Sequence, residues 1–133
     1  MESGHRESNA QRDSSNNIAD KILRVDQEVI GCYIVRVPDG AVLADMVKSE
    51  YRSTVKPFGA TGAGMASKWG LMGLSASKRM DGERGKTKYL IAARERFVTL
   101  LFLSPHDDSM EIGIMLTPDV EPSKIYEKVM KLL

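Results

Sequence analysis

The sequence predicts an α+β domain in three layers, α/β/α, built on a five-stranded, mostly antiparallel sheet. Three observations carry that prediction. The run FVTLLFLS is apolar on both alternating sets, Phe97, Leu101 and Leu103 against Val98, Leu100 and Phe102, and CYIVRV and EIGIMLT behave similarly. A strand apolar on both sides must be covered on both sides. The links between successive β-rich runs are short, which makes those neighbours antiparallel. Three further segments carry helical spacing and supply the covering layers, so the predicted order is α-β-β-α-β-β-β-α.

The first helix is predicted over residues 17–29. Asn17 offers an N-cap, and Ile18, Ile22, Val25 and Val29 recur at spacings of four, three and four. Gly31 ends that rhythm. CYIVRV then reads as a strand, Pro38-Asp39-Gly40 as a turn whose proline fixes φ and whose glycine admits φ > 0, and AVLADMV as the returning strand of a β-hairpin. Residues 48–58, KSEYRSTVKPF, are mixed in character and carry the chain over the sheet edge, with room for a helical turn. A second helical rhythm runs over residues 61–80 until Asp81-Gly82 and the polar ERGK break it. Three β-rich runs follow, KTKYLIAAR, FVTLLFLS and MEIGIMLT, joined at Glu95-Arg96 and through residues 105–109. Pro122 opens the last helix, with Ile125, Val129 and Leu132 on one face.

The stretch GATGAGMASKWG, residues 59–70, invites a nucleotide reading and fails it. Met65 and Ala66 stand where a P-loop needs its lysine and hydroxyl, and Ser67 stands where a dinucleotide fingerprint needs its third glycine. On a helix turning about 100° per residue, Met65, Trp69, Met72, Ala76 and Met80 share one face. Gly62, Ala66, Gly70, Gly73 and Ser77 form an adjoining stripe of small side chains. Such a stripe lets another backbone approach closely, either the chain's own sheet or a helix of a second copy. In the second case Met65, Trp69 and Met72 are the adaptable anchors.

Composition narrows the function classes. A chain of 133 residues fits one domain, and a net charge of +1 supplies no global field for nucleic acid or an anionic membrane. The polar residues 1–16 read as a disordered tail, neither signal peptide nor anchor, which leaves residues 17–133 as the domain. No apolar run is long enough for a membrane span. The single cysteine, Cys32, lies in an apolar run and reads as a buried small hydrophobe, in keeping with a reducing cytoplasm. His106, beside Asp107 and Asp108, reads as part of a solvated turn rather than a metal site, and no nucleophile, acid and base fall at recognisable spacing. The chain therefore reads as non-enzymatic, with no catalytic residue, metal or cofactor assigned. The basic stretch 78–96 is diluted by Asp81, Glu83 and Glu95 and has few aromatics for stacking, which argues against RNA.

VIGCYIVRVPDGAVLADM with its hairpin, the small-residue-rich central helix, and KYLIAARERFVTLLFL together resemble the roadblock/dynein light chain family, in the wider group of profilin-like and longin-like domains. The resemblance covers about residues 17 to 133. It implies a homodimer in which the strand at residues 87–94, with Lys88, Tyr89, Leu90 and Ile91, pairs with its symmetry mate while the two central helices lie together. It also implies a scaffold or regulator of a small Ras-like GTPase or a signalling assembly. The rival reading is a monomeric profilin-like or sensor-like domain that holds a peptide or small molecule, with Trp69 and the methionines lining its groove.

Overall fold

The hairpin forms as its turn chemistry dictates. Strand β1 (Val29–Arg36) turns through Pro38-Asp39-Gly40 into β2 (Ala41–Val47), with Gly40 at φ +70° donating its N–H to the Arg36 carbonyl at 2.8 Å. A computed structural model describes residues 2–56, 85 and 87–133, with side chains from residue 10 onward. The chain continues through a 3₁₀ turn at Ser49–Tyr51, then β3 (Leu90–Ala93), β4 (Val98–Ser104), β5 (Asp107–Leu116) and the C-terminal helix α2 (Pro122–Leu132). The five strands form one sheet in the order β2-β1-β5-β4-β3, with every neighbouring pair antiparallel. Fold class and strand order along the chain therefore agree with the sequence prediction.

Both described helices lie on one side of the sheet. Ala19, Ile22 and Leu23 of α1 (Glu2–Leu23) and Ile125 and Val129 of α2 share a core with Cys32, Ile34, Leu100, Phe102, Ile112 and Ile114. On the other side Tyr33, Val35 and Leu101 are buried, and Val55 packs with Ile30, Val47 and Met115. Both faces are thus apolar, as the doubly apolar strands require. The helix predicted over 61–80 lies outside the described residues, and so does the glycine stripe it carries.

Two irregularities set which side chains reach the helix side. Register shifts between Val29 and Gly31 and between Ile34 and Val35 interrupt the alternation of β1 with its neighbours. Val29 and Cys32, three apart, consequently join the same core, as do the adjacent Leu43 and Ala44.

Several boundaries differ from expectation. Helix α1 begins at Glu2 and ends at Leu23, so residues 2–16, expected as a disordered tail, continue the first helix. Composition alone counts little apolar area there, but Ser15 is buried and Gln11 Oε1 accepts a 2.6 Å hydrogen bond from Arg36 Nη1. The helix stops six residues early because Arg24 and Val25 N–H groups turn back to Lys21 and Ile22 carbonyls at 3.1 and 3.2 Å, a tightened last turn. Val25 still packs on the core from outside the helix, and Val29 belongs to β1, so their spacing mimicked a helical face. Strand β3 is shorter than residues 87–94, and β5 starts at Asp107, so the link before it is Pro105-His106 alone.

Arg36 clasps Asp39 with hydrogen bonds of 2.9 and 2.6 Å, and Asp39 Oδ1 also accepts the Ala41 N–H at 3.2 Å. These bonds favour the carboxylate and hold its pKa down from 3.8 to about 2, with the Arg36 hydrogen bond as the largest cause. The depressed value means that the clasp contributes in full above 3.8 and is lost as pH falls towards about 2. An NMR titration of the Asp39 carboxyl is expected to give a midpoint near 2 in the wild type and one raised towards the ordinary range in Arg36→Gln, where the Ala41 N–H bond remains. An unshifted wild-type midpoint is the contrary result.

Candidate functional site

The sheet has two ends of different character. At one end α1 packs against β2 and β1, and the Gln11–Arg36 bond fastens it to the hairpin. At the other, β3 is the last strand, paired only with β4 among the described residues. Among the described residues, the outer side of β3 is therefore one of the two sheet edges, with that of β2, where backbone groups are left to be completed.

Which groups face outward follows from one hydrogen bond. The Arg94 N–H donates to the Phe97 carbonyl at 2.9 Å, continuing a register in which Ala93 faces Val98 and Ala92 faces Thr99. In an antiparallel pair, alternate residues direct N–H and C=O to the same neighbour, so Ala92 and Leu90 point theirs at β4. Ile91 and Ala93 point theirs away from the sheet.

The side chains alternate across the strand in the same way. Leu90 stands opposite Leu101 and packs on the side away from the helices, with Tyr33 and Val35. Ile91 stands opposite Leu100, on the helix side, and remains 48% exposed. Only Leu132 is another large hydrophobic so exposed among the described residues. Tyr89 joins the helix-side core and meets Tyr126 of α2 with ring centroids 4.9 Å apart, while Tyr126 meets Phe102 edge-to-face at 5.4 Å. The aromatic chain anchors the start of β3 to α2 and β4.

Of the residues predicted at an interface, Lys88, Tyr89, Leu90 and Ile91 come together on this edge, with Lys88 exposed. Gly62, Met65, Ala66, Trp69, Gly70, Met72 and Gly73 lie outside the described residues. Arg94, Glu95 and Arg96 are exposed around the β3–β4 turn. Sequence reasoning missed Tyr126, which follows the core residue Ile125 and gave no periodic signal of its own. It also missed Glu111, a fully buried carboxyl in the apolar β5, and its neighbour Tyr33. The Tyr33 phenol is pushed well above its ordinary pKa by burial and, secondarily, by the Glu111 charge.

Other candidates resolve into structural roles. Burial raises the Cys32 thiol, with Asp45 adding to the effect, so the reactive thiolate is disfavoured. The His106 ring lies 2.7 Å from the Leu133 carbonyl oxygen, while Asp107 accepts from both the N–H and the hydroxyl of Ser109. Among the described residues no three His, Cys, Asp or Glu side chains converge as metal ligands, and no helix is long and apolar enough to cross a membrane.

Solved structures with the same architecture span nearly the whole chain. A roadblock/LC7 domain from Streptomyces avermitilis superposes with a TM-score of 0.62 at 15% identity, covering 88% of this chain and 89% of its own. The gliding protein MglB from Thermus thermophilus gives 0.63 at 14% identity, covering 92% and 90%. MglB from Myxococcus xanthus gives 0.61 at 8% identity, covering 92% and 89%. No protein-family model and no curated protein sequence matches the chain.

Proposed function

We propose, from the premise that this chain has the roadblock fold, that it is a non-enzymatic homodimeric interaction module. Its role is that of a scaffold or regulator of a small Ras-like GTPase or a signalling assembly in the cytoplasm. The observation that carries the reading is the open edge of β3, where outward backbone groups and the exposed Ile91 lie beside an aromatic anchor. A second copy of the same edge satisfies those groups and covers that side chain. The central segment, with Gly62, Met65, Ala66, Trp69, Gly70, Met72 and Gly73, is the proposed second contact of the dimer, helix against helix.

Light scattering at tens of micromolar is expected to give twice the chain mass of 14.7 kDa. Ile91→Lys is expected to raise the dimer dissociation constant by roughly tenfold or more, because a charge set in a desolvated apolar contact loses about 1.4 kcal/mol or more of association free energy. A wild-type monomer at that concentration sinks the proposal. The GTPase part rests on the family resemblance and has its own check. Native protein recovered with its partners is expected to bring a Ras-like GTPase with it, and recovery of only other classes of protein removes that part while leaving the dimer standing.

A further inference from the structure

The sheet has a second outer strand, β2, whose edge is built differently from that of β3. We propose that the β2 edge is closed to strand addition by Asp45 and Arg52, which keep copies of this chain from joining through it. The dimer reading above enters only in leaving β3 as the edge that pairs.

The Lys48 N–H donates to the Ile30 carbonyl at 2.9 Å, continuing a register in which Gly31 faces Val47 and Cys32 faces Met46. Alternate residues direct both backbone groups to the same neighbour, so Lys48, Met46 and Ala44 point theirs at β1. Asp45 and Val47 point theirs away from the sheet.

Three features act on that outward row. Arg52 Nε donates to the Val47 carbonyl at 3.2 Å, so the acceptor at the end of the strand is already engaged. The 3₁₀ turn at Ser49–Tyr51, in which the Tyr51 N–H donates to the Lys48 carbonyl at 3.0 Å, brings Arg52 back to the strand it follows. Towards the hairpin turn, the register shift between Ile34 and Val35 interrupts the ladder, and such a bulge bends and twists the strand that carries it. Asp45 lies between the two, opposite Tyr33 and so on the side away from the helices.

Asp45 is also the only charged residue of β2. When β2 pairs with a second β2, each Asp45 carboxylate is therefore set against its own copy or against an apolar side chain. The first opposes like charges, and the second takes a carboxylate out of water with no cation in the strand to meet it. Charge, bulge and a covering turn are the means by which sheet edges avoid accretion. Strand β3, Leu90–Ala93, carries no charge and pairs with β4 without a register shift. The two edges are thus unequal, and only one is guarded.

Light scattering over a range of concentrations tests the guard in the full chain. The wild type is expected to hold one mass. Asp45→Thr combined with Arg52→Ala is expected to reach about twice that mass or more and to keep rising with concentration, because dimers joined through β3 link onward through β2. Asp45→Lys combined with Arg52→Ala keeps a charge at the edge and is expected to stay at the wild-type mass. Asp45→Thr alone reads the charge where the double variant folds poorly, with a smaller rise. Amide exchange at Leu43 and Asp45 is expected to slow roughly tenfold in the assembled variant, since those N–H groups become paired. A double variant that is folded by circular dichroism yet keeps the wild-type mass overturns the proposal and leaves the dimer standing. Growth with unchanged exchange in β2, or equal growth of the lysine variant, also overturns it. A wild-type monomer removes the dimer reading alone, and the guard then shows as a double variant of twice the monomer mass.

Discussion

Phe102→Ala is expected to lower the unfolding free energy by about 3–5 kcal/mol, the usual range for removing a buried phenylalanine and leaving a cavity. Phe102 is fully buried on the helix side of β4, opposite Ile112 in β5, and meets Tyr126 of α2 edge-to-face at 5.4 Å. One truncation therefore loosens a strand, the C-terminal helix and the aromatic chain that reaches Tyr89. The helix can settle only partly into the space, because Ile125 and Val129 are already seated against the same core. Urea unfolding followed by circular dichroism measures the loss. A change below about 1 kcal/mol means that the site collapses without a cavity, contrary to the packing described.

The second large effect comes from a very small change. Gly113→Ala is expected to destabilise by about 2–3 kcal/mol, as overpacking in a filled core does. Gly113 of β5 faces Tyr33 of β1 directly, and an added Cβ falls 1.9 Å from Tyr33 Cε1 and 2.1 Å from its Cζ. Tyr33 is fully buried, so its rigid ring has no solvent to swing into. Shrinking the ring supplies the test. In Tyr33→Leu the alanine at 113 is expected to cost less than half of what it costs in the wild type, a coupling that contacting residues show. Strictly additive losses mean that the ring contact is not the cause.

Gly113 illustrates why some of this fold was legible in sequence and some was not. The strand EIGIMLT was recognisable because its apolar residues fall on both alternating sets, and the hairpin because Pro38-Asp39-Gly40 has few other conformations open to it. Nothing in the sequence said that Gly113 and Tyr33, eighty positions apart, are the two halves of one packing unit. The first helix shows the converse error. Ile18, Ile22, Val25 and Val29 all reach one core, but a turn after Leu23 and a strand deliver the last two, because periodicity reports which residues are buried and not which backbone carries them. At the candidate interface, the tyrosine, leucine and isoleucine of KYLIAAR were identifiable as an edge of interest. The exposure of Ile91 and the anchoring of Tyr89 by Tyr126 were not.

What the sequence determined by itself was the five strands, the hairpin turn and the C-terminal helix, with their order, since turn residues, strand alternation and helix-opening proline act over a few neighbouring positions. It determined that both faces of the sheet are buried for the same reason. Only the tertiary structure decided that β5 sits between β1 and β4, and that β3 is left as an outer strand. It also decided that outward backbone groups fall at Ile91 and Ala93. Those outcomes depend on pairings between distant segments, whose register is fixed by which faces must be buried together, and no stretch of the chain carries that information alone.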